Sequence, residues 1–333
     1  VNILDPLIKP FSQTRDPYRG MDPETRVFLQ TLADADSTPM EKLSPVEARH
    51  VLEQAQQETM VDLSGIDTRQ LKIDSEGHVI ELDIVRPAAS GTAPLPVVMF
   101  FHGGGWVLGD FPTHKRLVRD IAVLSGCAVV FVNYTRSPDA EYPTALIQAY
   151  LATKWIAENG HEVGLDGQRL AVAGNSAGGN MATAVCLMAK DRFGPTIRHQ
   201  TLFWPVTDAN FDTGSYEDFE DGYFLTRNMM KWFWDNYTSN DEARAEVYAS
   251  PLKAAPEQLQ GLPPALIQTA ECDVLRDEGE AYARLLNDAG VKVTATRYIG
   301  TIHDFGLLNA LALTPPTRAA LNQAAQEIRK HLA

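Results

Sequence analysis

The chain is 333 residues long and 44% hydrophobic, with 29 Lys and Arg against 43 Asp and Glu, a formal net charge of −14. That acidic balance, with no basic run, excludes nucleic acid and anionic membrane surfaces as electrostatic partners. No apolar stretch approaches the roughly 20 residues a spanning helix needs, so no stable membrane association is expected. The first residues lack the charged-then-apolar pattern of a secretory leader. The three cysteines, Cys127, Cys186 and Cys272, have an odd count and no metal-ligand spacing. They read as buried free thiols in a reducing compartment, which points to a cytoplasmic setting and to no metal.

In chain order, residues 1 to 60 read as helices broken by prolines, with one from Asp22 or Pro23 through Ala33. A second follows Ser44-Pro45, where Ser suits the N-cap and Pro the first turn. Gln70–Ile73 and Val79–Arg86 read as strands joined by Asp74-Ser75-Glu76-Gly77, a hairpin signal. From there strands and helices alternate, as in a parallel sheet with helices on both faces. The later strands are Val97–Phe101, Ala128–Asn133, Leu170–Ala173, Gln200–Phe203, Ala265–Ala270 and Lys292–Tyr298, which brings the total to eight.

Four of these strands run into segments that carry chemistry. Val97–Phe101 ends on His102-Gly103-Gly104-Gly105-Trp106. Consecutive glycines after a core strand lose entropy and offer no packing, so a structural reason for them is poor. Their bare N–H groups can instead approach a developing oxyanion, and Gly103 and Gly104 are assigned as donors. His102 precedes the donors and reads as loop-shaping, while Trp106 reads as a wall of the substrate pocket. Leu170–Ala173 leads into Gly174-Asn175-Ser176-Ala177-Gly178-Gly179 and then the helix formers Met181–Ala189. G-x-S-x-G between strand and helix is the pattern of a nucleophile elbow, a strained turn with the serine hydroxyl at its apex. The bland alternative is a glycine-rich turn closing a strand–helix unit. The N–H of Ala177, next after the serine, is assigned as a third donor.

A serine hydroxyl needs a base, and the base needs an orienting acid. Ala265–Ala270 is followed by Glu271-Cys272-Asp273, and the last strand by Gly300-Thr301-Ile302-His303-Asp304-Phe305. Loops at the ends of successive strands of an open sheet converge on one site. Asp273 and His303 are therefore assigned as acid and base. His50, His78, His114, His161 and His199 lie away from these loops, and His331 lies in the terminal helix.

Between Trp204 and Ser250 the alternation breaks: Asp208–Tyr216 is loop-like and Thr226–Tyr237 is an aromatic helix. With the N-terminal helices, this insertion is assigned to a cap over the site. Most of its rings must serve packing. Phe211, Tyr216, Phe219, Tyr223 and Phe224 are the candidates for an acyl or alcohol pocket, with one or two of them expected at the substrate. The expected organisation is N-terminal cap helices over 1–60, core over 61–203, cap insertion over 204–250 and core again over 251–333.

The segments His102–Trp106, Gly174–Gly179, Asp273–Gly279 and His303–Phe305 together resemble the bacterial hormone-sensitive-lipase-like (family IV) esterases. These are a branch of the α/β-hydrolase superfamily, and the likeness runs from about Val79 to the last residues. Tyr134–Asp139 with Tyr142-Pro143 matches a family stretch only in part. Asn175 stands where the family commonly has Asp or Thr, and Val274 where Pro is usual. None of these departures touches a triad member. The resemblance implies an α/β-hydrolase fold, an eight-stranded mostly parallel sheet with helices on both faces and a helical cap. It also implies a cofactor-free serine carboxylesterase acting on short-to-medium acyl esters of small-molecule size. The residues leave open an amidase, formamidase or deacetylase with the same triad, and less strongly a ligand receptor. The last strand, read as a sheet edge, suggests a homodimer.

Overall fold

A computed structural model describes residues 16–35 and 37–333. The part of the expected N-terminal helical segment before residue 16 lies outside the described residues. Eight strands form one sheet: β1 (Ile66–Ser75), β2 (His78–Pro87), β3 (Leu95–Phe101), β4 (Ala128–Asn133), β5 (Leu165–Asn175), β6 (Gln200–Phe203), β7 (Ala265–Cys272) and β8 (Val293–Ile302). Their spatial order is β1-β2-β4-β3-β5-β6-β7-β8. The β1–β2 and β2–β4 pairs are antiparallel and all others parallel. β1 starts at Ile66 rather than Gln70, because it pairs with β2 along its whole length at an exposed edge where apolar alternation is weak.

Helices α1 (Pro23–Asp34) and α2 (Pro45–Gln57) precede the sheet. Asp22 caps α1 by accepting from the N–H groups of Glu24 and Thr25, and Ser44 with Glu47 closes a capping box on α2. α3 (Phe111–Ser125), α4 (Thr144–Asn159) and α5 (Ala177–Asp191) connect the strands from β3 to β6. α6 (Gly214–Asp218), α7 (Arg227–Tyr237), α8 (Asp241–Ala245) and α9 (Pro256–Leu259) lie between β6 and β7. α10 (Arg276–Asp288) joins β7 to β8, and α11 (Pro315–Leu332) follows β8.

The period-two alternation of the central strands divides the core in two. Val97, Met99 and Phe101 of β3 pack with Ala149 of α4, Ala182 of α5 and Leu286 of α10. Val98 and Phe100 face the other way, onto Leu117 and Ile121 of α3 and Ala324 and Ile328 of α11. With both faces covered, the central strands read as continuous apolar runs, the signature of a buried parallel sheet. Among the described residues no helix is long and apolar enough to cross a membrane.

Candidate active site

Ser176 sits where β5 becomes α5, with φ 56° and ψ −119°. A side chain in that conformation is strained, and the surroundings must hold it. They do so by excluding side chains. A Cβ on Gly178 would collide with the Phe101 carbonyl at the end of β3, and one on Gly174 with the Gly178 carbonyl. The elbow therefore lies directly on the start of the glycine loop. The Ser176 N–H donates to the Phe203 carbonyl at 2.9 Å, which fixes the turn to β6.

Asp273 follows β7 and His303 follows β8, and their side chains meet at Ser176. His303 Nδ1 lies 2.7 Å from Asp273 Oδ2, and Nε2 lies 2.9 Å from Ser176 Oγ. A carboxylate only accepts, so Nδ1 carries the proton and Nε2 is left to accept from the hydroxyl. Asp273 Oδ1 accepts the Leu275 N–H at 3.0 Å, which holds the carboxyl in its own loop. All three side chains are buried. Burial pulls the His303 imidazole down, but Asp273 and then Asp304 outweigh it, so the net shift is upward.

The glycine loop corrects one expectation. The Gly103 N–H donates to Asn175 Oδ1 at 2.9 Å, so it is occupied and not available to an oxyanion. Among the described residues, the N–H groups of Gly104, Gly105 and Ala177 have no acceptor. Gly104 and Gly105 have φ of 99° and 59°, where only glycine is unstrained. His102 shapes this loop as expected. Its Nδ1 lies 2.8 Å from the Gly103 carbonyl oxygen, and its ring stacks on Tyr134 at 4.1 Å. Burial holds its pKa well below the ordinary value, so it is neutral.

The aromatic candidates divide. Trp106 is fully buried, stacked on Tyr237 at 3.9 Å with Trp234 against its edge, so it joins the glycine loop to α7. Tyr216 is also fully buried, and its hydroxyl has no partner among the described residues. Phe211 packs edge-on to Tyr216, and Phe219 carries the Arg276 guanidinium over its ring. Tyr223 and Phe224 meet the N-terminal segment, Tyr223 against Tyr18 and Phe224 against Phe28. Phe224 also lines a cavity of about 680 Å³ with Leu29, Met40, Leu43, Arg227 and Met229.

Three residues escaped the sequence reading. Phe233 of α7 lies so close to Gly105 that a Cβ there would collide with its ring. The aromatic run of α7 signalled packing, without showing which ring meets the loop. Glu278 is fully buried and accepts the Thr207 and Asp208 N–H groups at 2.7 and 3.3 Å, tying the start of the insertion to α10. Burial pushes its carboxyl well above the usual range. Asp304, beside the base, also went unassigned. Among the described residues no group of three or more His, Cys, Asp or Glu is placed to hold a metal ion.

A parallel sheet whose strand ends bring a hydroxyl, an imidazole and a carboxylate together is the architecture of a serine hydrolase. Comparison with known families makes the assignment specific. The chain belongs to the alpha/beta hydrolase fold family whose model matches residues 98–307, in its hormone-sensitive-lipase-like branch. It is 38% identical over 273 residues to the carboxylic ester hydrolase LipN of Mycobacterium tuberculosis, covering 80% of this chain and 71% of that one. It is 33% identical over 305 residues to the ethyl acetate hydrolase of Pseudomonas putida, covering 86% and 92%. The crystal structure of a thermostable esterase from Pseudomonas putida ECU1011 superposes with a TM-score of 0.94 at 59% identity, covering 95% of this chain and 98% of that one. The protein is a serine hydrolase of carboxylic esters.

Proposed function

We propose that Ser176, His303 and Asp273 carry out this hydrolysis as a triad, through an acyl-enzyme. His303 Nε2 takes the Ser176 proton as Oγ attacks the ester carbonyl, then gives it to the leaving alcohol. Water, deprotonated by the same nitrogen, releases the acid. Asp273 holds the tautomer and stabilises the imidazolium. The donors to the oxyanion are Gly104, Gly105 and Ala177, since Gly103 is spent on Asn175. The observation that carries the reading is His303 standing between its two partners at 2.7 and 2.9 Å. No metal or cofactor enters these steps.

Short-to-medium acyl esters are the substrates this reading favours, with the described residues up to 60 and residues 204–250 as the cap that bounds them. A cavity of about 680 Å³ lies between α1 and residues 220–229, where these two segments meet. A fluorophosphonate should label Ser176 alone, and hydrolysis of nitrophenyl esters should peak at short-to-medium acyl length. Labelling elsewhere, or undiminished hydrolysis after labelling, would overturn the triad.

A homodimer through β8 belongs to the same proposal, since β8 is a sheet edge with Ile299 74% exposed. Sedimentation of a monomer at micromolar concentration would rule that out. A cytoplasmic setting accords with three free cysteines, two of them buried.

A further inference from the structure

His303 has a second carboxylate beside it. Asp304 Oδ2 lies 3.8 Å from His303 Nε2, the nitrogen that receives the serine proton, on the side away from Asp273. Its other oxygen is fixed. Asp304 Oδ1 accepts from the Trp204 indole N–H at 2.6 Å and from Asn175 Nδ2 at 2.9 Å. Both donors are themselves fully buried or nearly so, so the carboxyl is held by a rigid frame. Asn175 uses its remaining oxygen to accept the Gly103 N–H at 2.9 Å. One amide thus joins the histidine loop, the elbow and the glycine loop.

We propose that Asp304 is a positioning residue whose negative charge stabilises the His303 imidazolium from its Nε2 side, and that Trp204 and Asn175 hold it there. The inference rests on the triad reading given above and deepens it. Asp273 grips Nδ1 in both protonation states and so fixes the ring. Asp304 is too far from Nε2 for a hydrogen bond while Ser176 occupies that nitrogen. Its attraction therefore grows when Nε2 gains a proton, which is the moment at which the oxyanion forms. The site would otherwise create a cation in a buried setting with stabilisation from one side only.

The charged and titratable groups around this pair are few. Asp273 faces His303 from the loop after β7, and Glu278 of α10 lies near Asp273, burial pushing its carboxyl well above the usual range. His114 of α3 faces Asp304, and burial lowers its pKa to about 4, so it carries no charge at neutral pH. Asp304 is therefore the group on the Nε2 side whose charge acts on the base.

The backbone supplies a clean test. Asp304 has φ 57°, a conformation that Asn accepts almost as readily as Asp. Asp304→Asn keeps the Oδ1 acceptor for Trp204 and Asn175 and puts a neutral amide NH2 where the charged Oδ2 faced Nε2. The rate at which a small fluorophosphonate labels Ser176 is read against pH, because labelling needs neutral His303 and no particular ester. The acid limb of that profile should move down by about one unit or more in Asp304→Asn, as loss of an opposite charge at this range predicts. The plateau rate should fall roughly tenfold or more, since a limb one unit lower leaves the imidazolium that much less stabilised.

A folded Asp304→Asn with the wild-type limb overturns the proposal. Should that variant not fold, Asp304→Gly, unstrained at the same φ, removes the charge together with the acceptor of Trp204 and Asn175, and a wild-type limb there also overturns the proposal. Failure of both to fold would assign Asp304 to the scaffold and overturn the proposal as well. If Ser176 is not labelled in the unaltered protein at any pH, the triad reading itself has failed, a result distinct from an unshifted limb.

Discussion

The proposed reacting groups and the aromatic rings of the expected pocket are held in opposite ways. Ser176, Asp273 and His303 stand within a residue of a strand end, and contacts with adjoining backbone fix them. Glycines at Gly174 and Gly178 leave no free space for the turn to relax into. The rings are held by other rings from remote parts of the chain: Trp106 on Tyr237, Phe224 on Phe28, Tyr223 on Tyr18. Proton transfer tolerates errors of a few tenths of an ångström, so its residues sit on the stiffest part of the fold. Pocket walls need only shape, and shape comes from packing two segments against each other.

The first half of that comparison should break most sharply at the nucleophile. Ser176→Ala should lower kcat by about 10⁴ or more, since triad members act as a unit. A variant retaining a tenth of wild-type turnover would show that the hydroxyl at the elbow is not the attacking group. Asp273→Asn should cost on the order of 10⁴, because an amide beside Nδ1 favours the wrong tautomer. Asp277→Asn should be mild. Asp277 bonds Ser215 and Arg276 and touches neither His303 nor Ser176. Measured side by side, a reversal of these two would move the acid from the loop after β7 to Asp277 in α10.

The base sets the pH dependence. His303 must be neutral to take the proton, and its neighbours raise its pKa above the ordinary 6.5. As pH falls below that raised value the imidazole is progressively protonated, and kcat/KM should drop about tenfold per unit. Activity therefore holds above that raised value and is lost below it. A profile flat to pH 4.5 would exclude His303 as the base.

Phe233 tests the second half, the proposed cap. Its ring lies on Gly105, so Phe233→Ala opens space beside an assigned oxyanion donor while leaving the triad untouched. Truncation of a buried Phe costs about 3–5 kcal/mol of stability. Selectivity should shift several-fold toward bulky esters, read as the ratio of kcat/KM for a branched and a linear substrate. An unchanged ratio would place the ring in packing alone.

The same division explains what the sequence disclosed. The eight strands, the elbow turn and the meeting of Asp273 and His303 at Ser176 were legible because each is written locally, as an apolar run ending in a motif. The oxyanion assignment was off at Gly103, because the side chain that occupies its N–H belongs to Asn175, 72 residues away. No spacing within His102–Trp106 reveals that. Asp304 was passed over for a similar reason: its partners Trp204 and Asn175 come from two other strand ends. Phe233 was visible as part of an aromatic helix, but only the crossing of α7 over the glycine loop selects it from its neighbours.

Tyr216 offers the gentlest test of the contrast. As a pocket-lining candidate it would present its hydroxyl to substrate, and Tyr216→Phe would change KM. The structure gives the hydroxyl another character: fully buried, without a hydrogen-bond partner, and near Glu278 and Asp273. A buried polar group left unpaired costs about 1–3 kcal/mol, and its removal returns part of that. Phe fills the same volume and keeps the edge contact with Phe211. Tyr216→Phe should therefore leave kcat and KM within about twofold and hold or raise the melting temperature, by up to a few degrees for about 1 kcal/mol. A clear loss of stability would mean the hydroxyl has found a partner, with the neighbouring Glu278 carboxyl the first to examine. A changed KM with unchanged stability would return the ring to the substrate and weaken the separation between a rigid reacting core and a cap that acts by shape.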